Sequence, residues 1–290
     1  MNYQGKVFRP PSEASSLIIQ CTIGCSHNKC SFCSMYKEDQ FRIRPLNEIL
    51  ADLDSMSIYA NVYKRVFLGD GDALIMSMDD LKTILKKISS SFPANKRTGI
   101  YASPKSLATK TVDQLKELKE LGLGIIYLGM ESGSDLILKK VNKGASAQEI
   151  LDQAKKVKEA GILLSVTMIS GLGGQELSHE HAVESAKLIN QMEPHYLGLL
   201  TLMQEPGTEL DLEIKRGDFL PLTPLQVLEE TKLFVCQVEA KGITFRSNHA
   251  SNYLGLAGIL DQDKDKIIAT INHYLIDSHP NLRKEAYRSL

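Results

Sequence analysis

The sequence predicts an α/β fold in which β-strands and α-helices alternate along the chain. Short apolar runs alternate with segments of helical periodicity, and six such strand-then-helix units follow one another. This alternation predicts a parallel sheet with right-handed crossovers. A length of 290 residues suits one large α/β domain or two small ones. On this pattern alone, a Rossmann sheet and a partial TIM-like barrel are both open.

The predicted strands are short and apolar. They cover residues 17–21, 65–68, 98–102, 124–130, 162–169 and 196–202. The fourth is apolar at nearly every position, which is typical of a strand that is buried on both faces. The predicted helices cover residues 46–59, 78–89, 112–121, 147–159 and 177–191. Thr111 and Gln114 are spaced to cap the third helix, and Gly122 is placed to end it.

A further helix, strand and helix are predicted at residues 225–240, 243–246 and 264–276. No low-complexity linker precedes them. We therefore predict a core over residues 1–220 and a C-terminal extension over residues 221–290, both within one compact domain.

Composition and charge exclude several classes of function. The 34 basic and 35 acidic residues nearly cancel, which argues against a broad nucleic-acid interface. No apolar run is long enough to span a membrane, and residues 1–16 lack the apolar core of a signal peptide. Four of the five cysteines lie within residues 21–33, unlike a secreted disulfide framework. We therefore expect a cytoplasmic protein with a metal centre.

The clustered cysteines are Cys21, Cys25, Cys30 and Cys33, on the loop after the first predicted strand. Short gaps allow several thiolates to converge on one small inorganic centre, as iron–sulfur clusters require. Structural zinc and redox thiols are the alternatives. Zinc sites normally use two ligand pairs separated by a longer structured stretch, so this spacing favours iron and sulfur.

The cysteine motif resembles that of the radical SAM superfamily. Its hallmark is three cysteines spaced C-x3-C-x2-C after the first strand, with an aromatic residue before the last. Phe32 occupies that aromatic position, and residues 22–25 match a common Thr-x-Gly-Cys lead-in. Four residues separate Cys25 from Cys30 where three are usual, and the usual spacing would place the first ligand at Ser26.

The resemblance implies a 4Fe–4S cluster held by Cys25, Cys30 and Cys33, with one iron left open for S-adenosylmethionine. Cys21 is expected to be a buried thiol at the strand end, although it is an alternative to Cys25 as a ligand. Cys236 is expected to pack in the core.

Four later strand ends also resemble the family's cofactor-binding segments. The turn at residues 69–72 stands where the family holds the methionine amino group, and residues 129–133 match its Gly-x-Glu-Ser-Gly segment. With Phe32, the implied cofactor contacts are Gly69, Asp70, Gly71, Asp72, Glu131, Ser132, Gly171 and Gln204. The alternatives are an ordinary turn at 69–72 and a helix cap at 131–132. A phosphate cradle at 171–174 is a third alternative, but the nucleotide-binding glycine fingerprints do not occur here.

Four further polar residues are candidates for substrate contact. Arg246 is the last residue of a predicted strand and His249 follows it, and both are the candidate catalytic residues. Arg42 and Arg44 flank a loop, where they either clamp an anionic group of the substrate or are simply solvated.

The resemblance implies a partial (β/α)6 TIM-like barrel that carries a helical and strand C-terminal extension. It also implies reductive cleavage of S-adenosylmethionine to a 5′-deoxyadenosyl radical, which takes hydrogen from an unidentified small-molecule or peptide substrate. Flavodoxin or ferredoxin is the expected electron donor. With only two cysteines outside the motif, neither a methylthiotransferase nor a multi-cluster peptide maturase is expected, and no haem-pathway role is assigned.

Two other functions are weighed against this one. The first is a non-catalytic iron–sulfur or zinc protein that uses the barrel to bind a partner. The second is a nicotinamide-dependent enzyme, which lacks its sequence fingerprint here.

Overall fold

The computed structural model describes residues 1, 3–276 and 282–289. Part of the predicted extension, residues 277–281 and 290, therefore lies outside the described residues. The strands of the described chain are β1 (Leu17–Gln20), β2 (Thr22–Ile23), β3 (Arg42–Ile43), β4 (Arg65–Gly69), β5 (Arg97–Ala102), β6 (Leu123–Glu131), β7 (Leu163–Ser170), β8 (Tyr196–Thr201), β9 (Thr244–Ser247) and β10 (Leu256–Ile259).

The helices match the sequence periodicity closely. They are α1 (Leu46–Met56), α2 (Met78–Ser91), α3 (Pro104–Ala108), α4 (Val112–Glu120), α5 (Asp135–Lys140), α6 (Ala147–Glu159), α7 (Gly174–Met192), α8 (Glu209–Arg216), α9 (Pro224–Gln237) and α10 (Leu260–Ile276). In this part of the chain, no helix is both long enough and apolar enough to cross a lipid bilayer.

The chain divides into two compact units. The first contains Met1–Asn28, Met35–Leu128 and Asp152–Leu164. The second contains Lys29–Ser34, Gly129–Leu151 and Ser165–Leu290. The boundary predicted between residues 220 and 221 stays a prediction.

The first unit is built on parallel strands in the order β1–β4–β5–β6. Strand β1 is buried along its whole length, as is most of β4. Gln20 lies opposite Gly69 in the register, so the segments that follow β1 and β4 leave the sheet at the same edge. The antiparallel pair β2 and β3 holds the base of the loop that carries Cys25, Cys30 and Cys33.

The second unit is built on strands in the order β7–β8–β9–β10. The pairs β7–β8 and β8–β9 are parallel, whereas β9–β10 is antiparallel. Helices α7 and α9 pack against each other beside this sheet.

The predicted α/β class with mostly parallel strands is confirmed. The capping box of α4 is also confirmed, because Thr111 and Gln114 bond reciprocally across the first turn. The short elements β2, β3, β10, α3, α5 and α8 were not predicted, since each has too few residues to develop a periodic pattern.

The prediction that Cys236 packs in the core is wrong, because its side chain is exposed. The buried face of α9 consists of Val227, Leu228, Glu230, Thr231, Phe234 and Val235. Cys236 directly follows the last of these residues and lies on the exposed side of the helix.

Candidate functional site

The second half of the cysteine loop, residues 29–34, is anchored within the second unit. The Ser31 amide donates to the Val141 carbonyl at 2.9 Å, and the Leu210 amide donates to the Ser31 carbonyl at 3.0 Å. The Ser34 hydroxyl donates to Glu205 at 2.9 Å. The residues directly after Cys30 and Cys33 are therefore held by the end of α5, by α8 and by the segment after β8.

Phe32 packs against a buried apolar cluster made of Ile137, Val141 and Leu172. Cys30 and Cys33, on either side of it, are half-buried. The aromatic side chain thus anchors the loop in the core while the neighbouring thiols stay near the surface.

Cys25, in the first unit, lies directly against Gly71. A Cβ at position 71 would come 2.7 Å from the Tyr36 ring and 3.1 Å from the Cβ of Cys25. Both distances are well inside ordinary contact, so only glycine permits this approach of the turn to the cysteine. Cys25 itself is half-buried.

Ser26 donates a hydrogen bond to the Asp72 carboxylate. Asp72 is fully buried and also accepts from the Ser103 amide at 2.9 Å and the Ser103 hydroxyl at 2.7 Å. The serine at the usual ligand position is therefore engaged with a protein carboxylate. The role of Asp72 as a cofactor contact stays a prediction.

Asp70 differs from Asp72 in keeping a side-chain oxygen without a partner. The carboxylate is 1% exposed and accepts from the Gln20 amide at 2.6 Å through one oxygen. Its Oδ1 atom has no hydrogen-bond partner among the described residues. Burial raises the pKa of Asp70 to about 6, and repulsion from Asp39 adds to the rise. The Gln20 hydrogen bond, the nearby Gly24 backbone amide and the charge of Arg44 oppose it. A cationic donor placed here would satisfy the buried acceptor and lower that pKa.

Cys21 is fully buried at the end of β1, as predicted. Its amide donates to the Gly69 carbonyl at 2.5 Å. Burial raises the pKa of the Cys21 thiol well above its usual range, so the thiolate needed for metal binding is disfavoured.

Glu131 lies at the end of β6 with a left-handed backbone, φ +64°. Its carboxylate is 2.8 Å from the Lys143 ammonium, and both side chains are nearly buried. A side chain at Gly129 would overlap the Glu131 carboxylate. The Gly-x-Glu-Ser-Gly segment and the trailing Asn-Lys-Gly segment are therefore joined by an ion pair.

The Ser132 hydroxyl is buried and accepts from the Ser134 amide at 3.1 Å. Ser134 caps helix α5 by accepting from the Ile137 amide. The helix cap is therefore Ser134, two residues after the cap predicted at residues 131–132. The role of Ser132 as a cofactor contact stays a prediction.

Gly171 and Gln204 both line a cavity of about 250 Å³ in the second unit. Gly171 has φ +84°, and its amide donates to the Glu230 carboxylate at 2.7 Å. The Gln204 amide donates to Asp211 at 2.9 Å. Each residue is therefore fixed by a carboxylate from a helix that comes later in the chain.

Glu230, His181 and Asp211 were missed by the sequence analysis. Glu230 lies three residues after Val227, on the buried face of α9, and is 3% exposed. Its place at a core position of an amphipathic helix could have predicted a functional or structural role, because a carboxylate is rarely buried without hydrogen-bond donors around it.

The loop arginines differ in environment. The expectation of a solvated side chain is wrong for Arg44, whereas its role as a clamp for an anionic group stays a prediction. Arg44 is 5% exposed and pairs with Asp52 at 2.8 Å, because its charge must be matched on burial. Arg42 is exposed.

Arg246 is exposed on β9, and His249 is half-buried beside the Ser251 hydroxyl at 3.0 Å. Burial, together with the charge of Arg283, lowers the pKa of His249. Their assignment as catalytic residues stays a prediction.

The donor set of the cysteine loop consists of three half-buried thiols within nine residues, and this chemistry fits an iron–sulfur cluster with one open iron. Across the described residues, no three or more His, Cys, Asp or Glu side chains are already arranged to hold a metal ion.

An α/β fold with cysteines and glycine turns at its strand ends is typical of cofactor-binding proteins. Comparison with known families identifies the family to which this chain belongs. The family model described as the Radical SAM superfamily matches residues 19–187. The chain therefore belongs to the radical SAM superfamily. This superfamily uses a 4Fe–4S cluster and S-adenosylmethionine, so the predicted cofactors are confirmed at the level of the family.

Curated relatives are distant. The chain is 25% identical over 228 residues to the heme chaperone HemW of Bacillus subtilis, covering 76% of this chain and 59% of that protein. It is 25% identical over 175 residues to a tRNA-2-methylthio-N(6)-dimethylallyladenosine synthase of Alkalilimnicola ehrlichii, covering 57% of this chain and 38% of that protein. The chain thus spans only part of the length of each relative.

Solved structures share the fold. Methylornithine synthase (PylB) superposes with a TM-score of 0.55 at 15% identity, covering 93% of this chain and 83% of that one. Coproporphyrinogen III oxidase (HemN) from Escherichia coli superposes with a TM-score of 0.56 at 17% identity, covering 77% of this chain and 52% of that one.

Proposed function

We propose that this protein is a radical SAM enzyme whose 4Fe–4S cluster is held by Cys25, Cys30 and Cys33. The observation that carries the proposal is that the two competing ligand candidates at the motif, Ser26 and Cys21, are both in environments that disfavour metal binding. Ser26 donates to the buried Asp72 carboxylate, and Cys21 is a buried thiol with a raised pKa. Both are thereby disfavoured as ligands, whereas the three assigned thiols are half-buried.

Asp70 is the residue that we propose for the amino group of S-adenosylmethionine. Its buried Oδ1 lacks a donor among the described residues, and an ammonium supplies both the donor and the opposite charge. The acceptors of Asp72 are already used by Ser26 and Ser103, which makes Asp72 the weaker candidate. Gly69 and Gly71 allow the backbone of the turn to approach the ligand.

Three segments of the second unit are proposed to contact the remainder of S-adenosylmethionine. They are the Glu131–Ser132 segment, the Gly171 loop and the Gln204 segment. Glu131 is held by Lys143, Gly171 by Glu230 and Gln204 by Asp211, so each segment enters the complex already ordered. Preorganisation of this kind lowers the entropic cost of binding. Phe32 fixes the position of the loop between Cys30 and Cys33.

When bound, the cluster supplies the electron for reductive cleavage of S-adenosylmethionine to methionine and a 5′-deoxyadenosyl radical. We propose that flavodoxin or ferredoxin provides this electron and that the radical takes hydrogen from a small molecule or a peptide. Arg246 and His249 are the proposed residues on the substrate side. The names of the relatives, a heme chaperone and a tRNA-modifying synthase, describe proteins of greater length and assign no substrate here.

The test begins with anaerobic reconstitution, followed by iron and sulfide analysis. Dithionite and S-adenosylmethionine are then added, and 5′-deoxyadenosine is measured by chromatography. The wild-type protein is expected to contain about four irons per chain, as a 4Fe–4S cluster requires, and to form 5′-deoxyadenosine. Cys30→Ala is expected to abolish both results.

Cys236→Ala is the matched control, because it removes an exposed thiol outside the motif and should leave both results unchanged. A single zinc ion in place of iron, or a cluster whose electron paramagnetic resonance spectrum ignores S-adenosylmethionine, would contradict the proposal. Either result would favour the non-catalytic alternative.

A further inference from the structure

Glu230 is a buried carboxylate that no cofactor assignment has used. One of its oxygens accepts from the Ser170 hydroxyl at 2.7 Å and from the Gly171 amide at 2.7 Å. The other accepts from the Ser178 hydroxyl at 2.7 Å. Burial raises the pKa of Glu230, but His181 and the hydrogen bonds from Ser178 and Gly171 hold it below its usual range, so the group is ionised. Helix α9 thereby holds the end of β7 through one charged group.

His181 is fully buried on α7 and lies next to this carboxylate. Its Nδ1 is 3.2 Å from Oε1 of Glu230, within ion-pair distance but outside hydrogen-bond alignment. Its Nε2 donates to the Glu131 carbonyl at 3.3 Å. One imidazole ring therefore contacts both Glu230 and the backbone at the end of β6.

Together these contacts run from the Glu131 carbonyl through His181 and Glu230 to the Gly171 amide. Both ends are at positions whose φ is positive, +64° at Glu131 and +84° at Gly171. A left-handed backbone is costly for a glutamate, so this conformation needs support from its neighbours.

We propose that His181 and Glu230 are positioning residues that couple the two segments. We call the pair the His181–Glu230 bridge. This proposal rests on the proposed function, in which the Glu131 segment and the Gly171 loop both contact S-adenosylmethionine. Binding then requires the two segments at a fixed separation, and the bridge sets that separation before the ligand arrives. Helix α9 lies in the predicted C-terminal extension, and through Glu230 it thus supports the cofactor site directly.

The first experiment needs no cofactor. Amide hydrogen exchange is measured on the cluster-free protein for peptides that cover residues 131–134 and 170–174. His181→Ala and Glu230→Ala are each expected to increase exchange in both peptides, because each substitution interrupts the same bridge. Increased exchange in the nearer peptide alone would show independent local contacts and overturn the proposal.

Glu230→Gln keeps the fold testable if the alanine variant does not fold. Its side-chain carbonyl still accepts from Gly171, but the charge facing His181 is gone. We expect exchange to stay raised in both peptides, with a smaller rise at residues 170–174 than in Glu230→Ala because Gly171 keeps its acceptor. Equal protection of both peptides at the wild-type level would show that the charge facing His181 couples nothing, against the proposal.

The second experiment measures the Kd for S-adenosylmethionine on the reconstituted protein. Each alanine variant is expected to weaken binding by about tenfold, which is a typical coupling between contacting groups. The double variant should be no weaker than the single ones, because either substitution already breaks the bridge. Additive losses would overturn the coupling.

Exposed neighbours on the same helices provide matched controls. His179→Ala on α7 and Glu229→Ala on α9 remove the same side-chain types from the surface and should leave both exchange and Kd unchanged. If the reconstituted wild-type protein does not bind S-adenosylmethionine, the proposed function fails. The exchange experiment still decides separately whether the bridge exists.

Discussion

Alanine at position 71 is expected to displace Cys25 and release iron from the reconstituted protein. The added Cβ would lie 2.7 Å from the Tyr36 ring and 3.1 Å from the Cβ of Cys25. Carbon atoms in contact prefer a separation of about 3.5–4.0 Å, so the methyl group intrudes by up to about 1 Å. Tyr36 is 4% exposed whereas Cys25 is half-buried, so we expect Cys25 and its loop to be the part that shifts.

The cost of such overpacking is about 1–3 kcal/mol. For a chain of this size, each kcal/mol lowers Tm by about 2–4 °C, so a cluster-free Gly71→Ala protein should remain folded but melt measurably earlier. Loss of iron should be much larger than this loss of stability suggests, since metal–ligand geometry tolerates shifts of only about 0.2 Å.

The assay compares iron per chain and Tm for the wild type, Gly71→Ala and Gly69→Ala. A Cβ at Gly69 meets its nearest atom, on Ile18, at 3.8 Å, which is ordinary contact, so this variant should retain iron. If Gly71→Ala binds as much iron as Gly69→Ala, the close approach of the turn to Cys25 does not matter for the cluster and the reasoning fails.

Three further predictions concern single side chains. The folded protein holds a proton on Asp70 between about pH 4 and pH 6 that the unfolded chain has already released, so wild-type stability falls as pH rises through that window. Above pH 6, Asp70→Asn should therefore be more stable than the wild type by at most about 3 kcal/mol, and by less to the extent that solvent screens the group. Urea unfolding at several pH values measures this, and the two proteins should have equal stability near pH 4. Lys143→Ala should lower the free energy of unfolding by about 1–3 kcal/mol, because Glu131 keeps a nearly buried charge without its ion-pair partner; an unchanged urea midpoint would contradict this. Cys21→Ala should retain the full iron content whereas Cys25→Ala loses it, and the reverse pattern in iron analysis would make Cys21 the ligand.

The features that could be predicted correctly from the sequence depend on neighbours close along the chain. The capping box of Thr111 and Gln114 joins residues three apart, and the helical faces repeat within two turns. The cysteine motif is similarly local, because its ligands are separated by only a few residues. Its assignment to the family therefore needed no knowledge of the tertiary structure.

The contacts that organise the candidate site join residues far apart in sequence, which is why they were not predicted. Ser26 and Asp72 are 46 residues apart, and Gly171 and Glu230 are 59 apart. A single buried carboxylate in an amphipathic helix has no periodic pattern, and its partners are defined only when α9 packs beside β7. Local chain chemistry specified the strands, the helices and the cluster motif. Which carboxylate keeps an unsatisfied oxygen, and which one holds a glycine loop, depended on the donors that packing brings within about 3 Å.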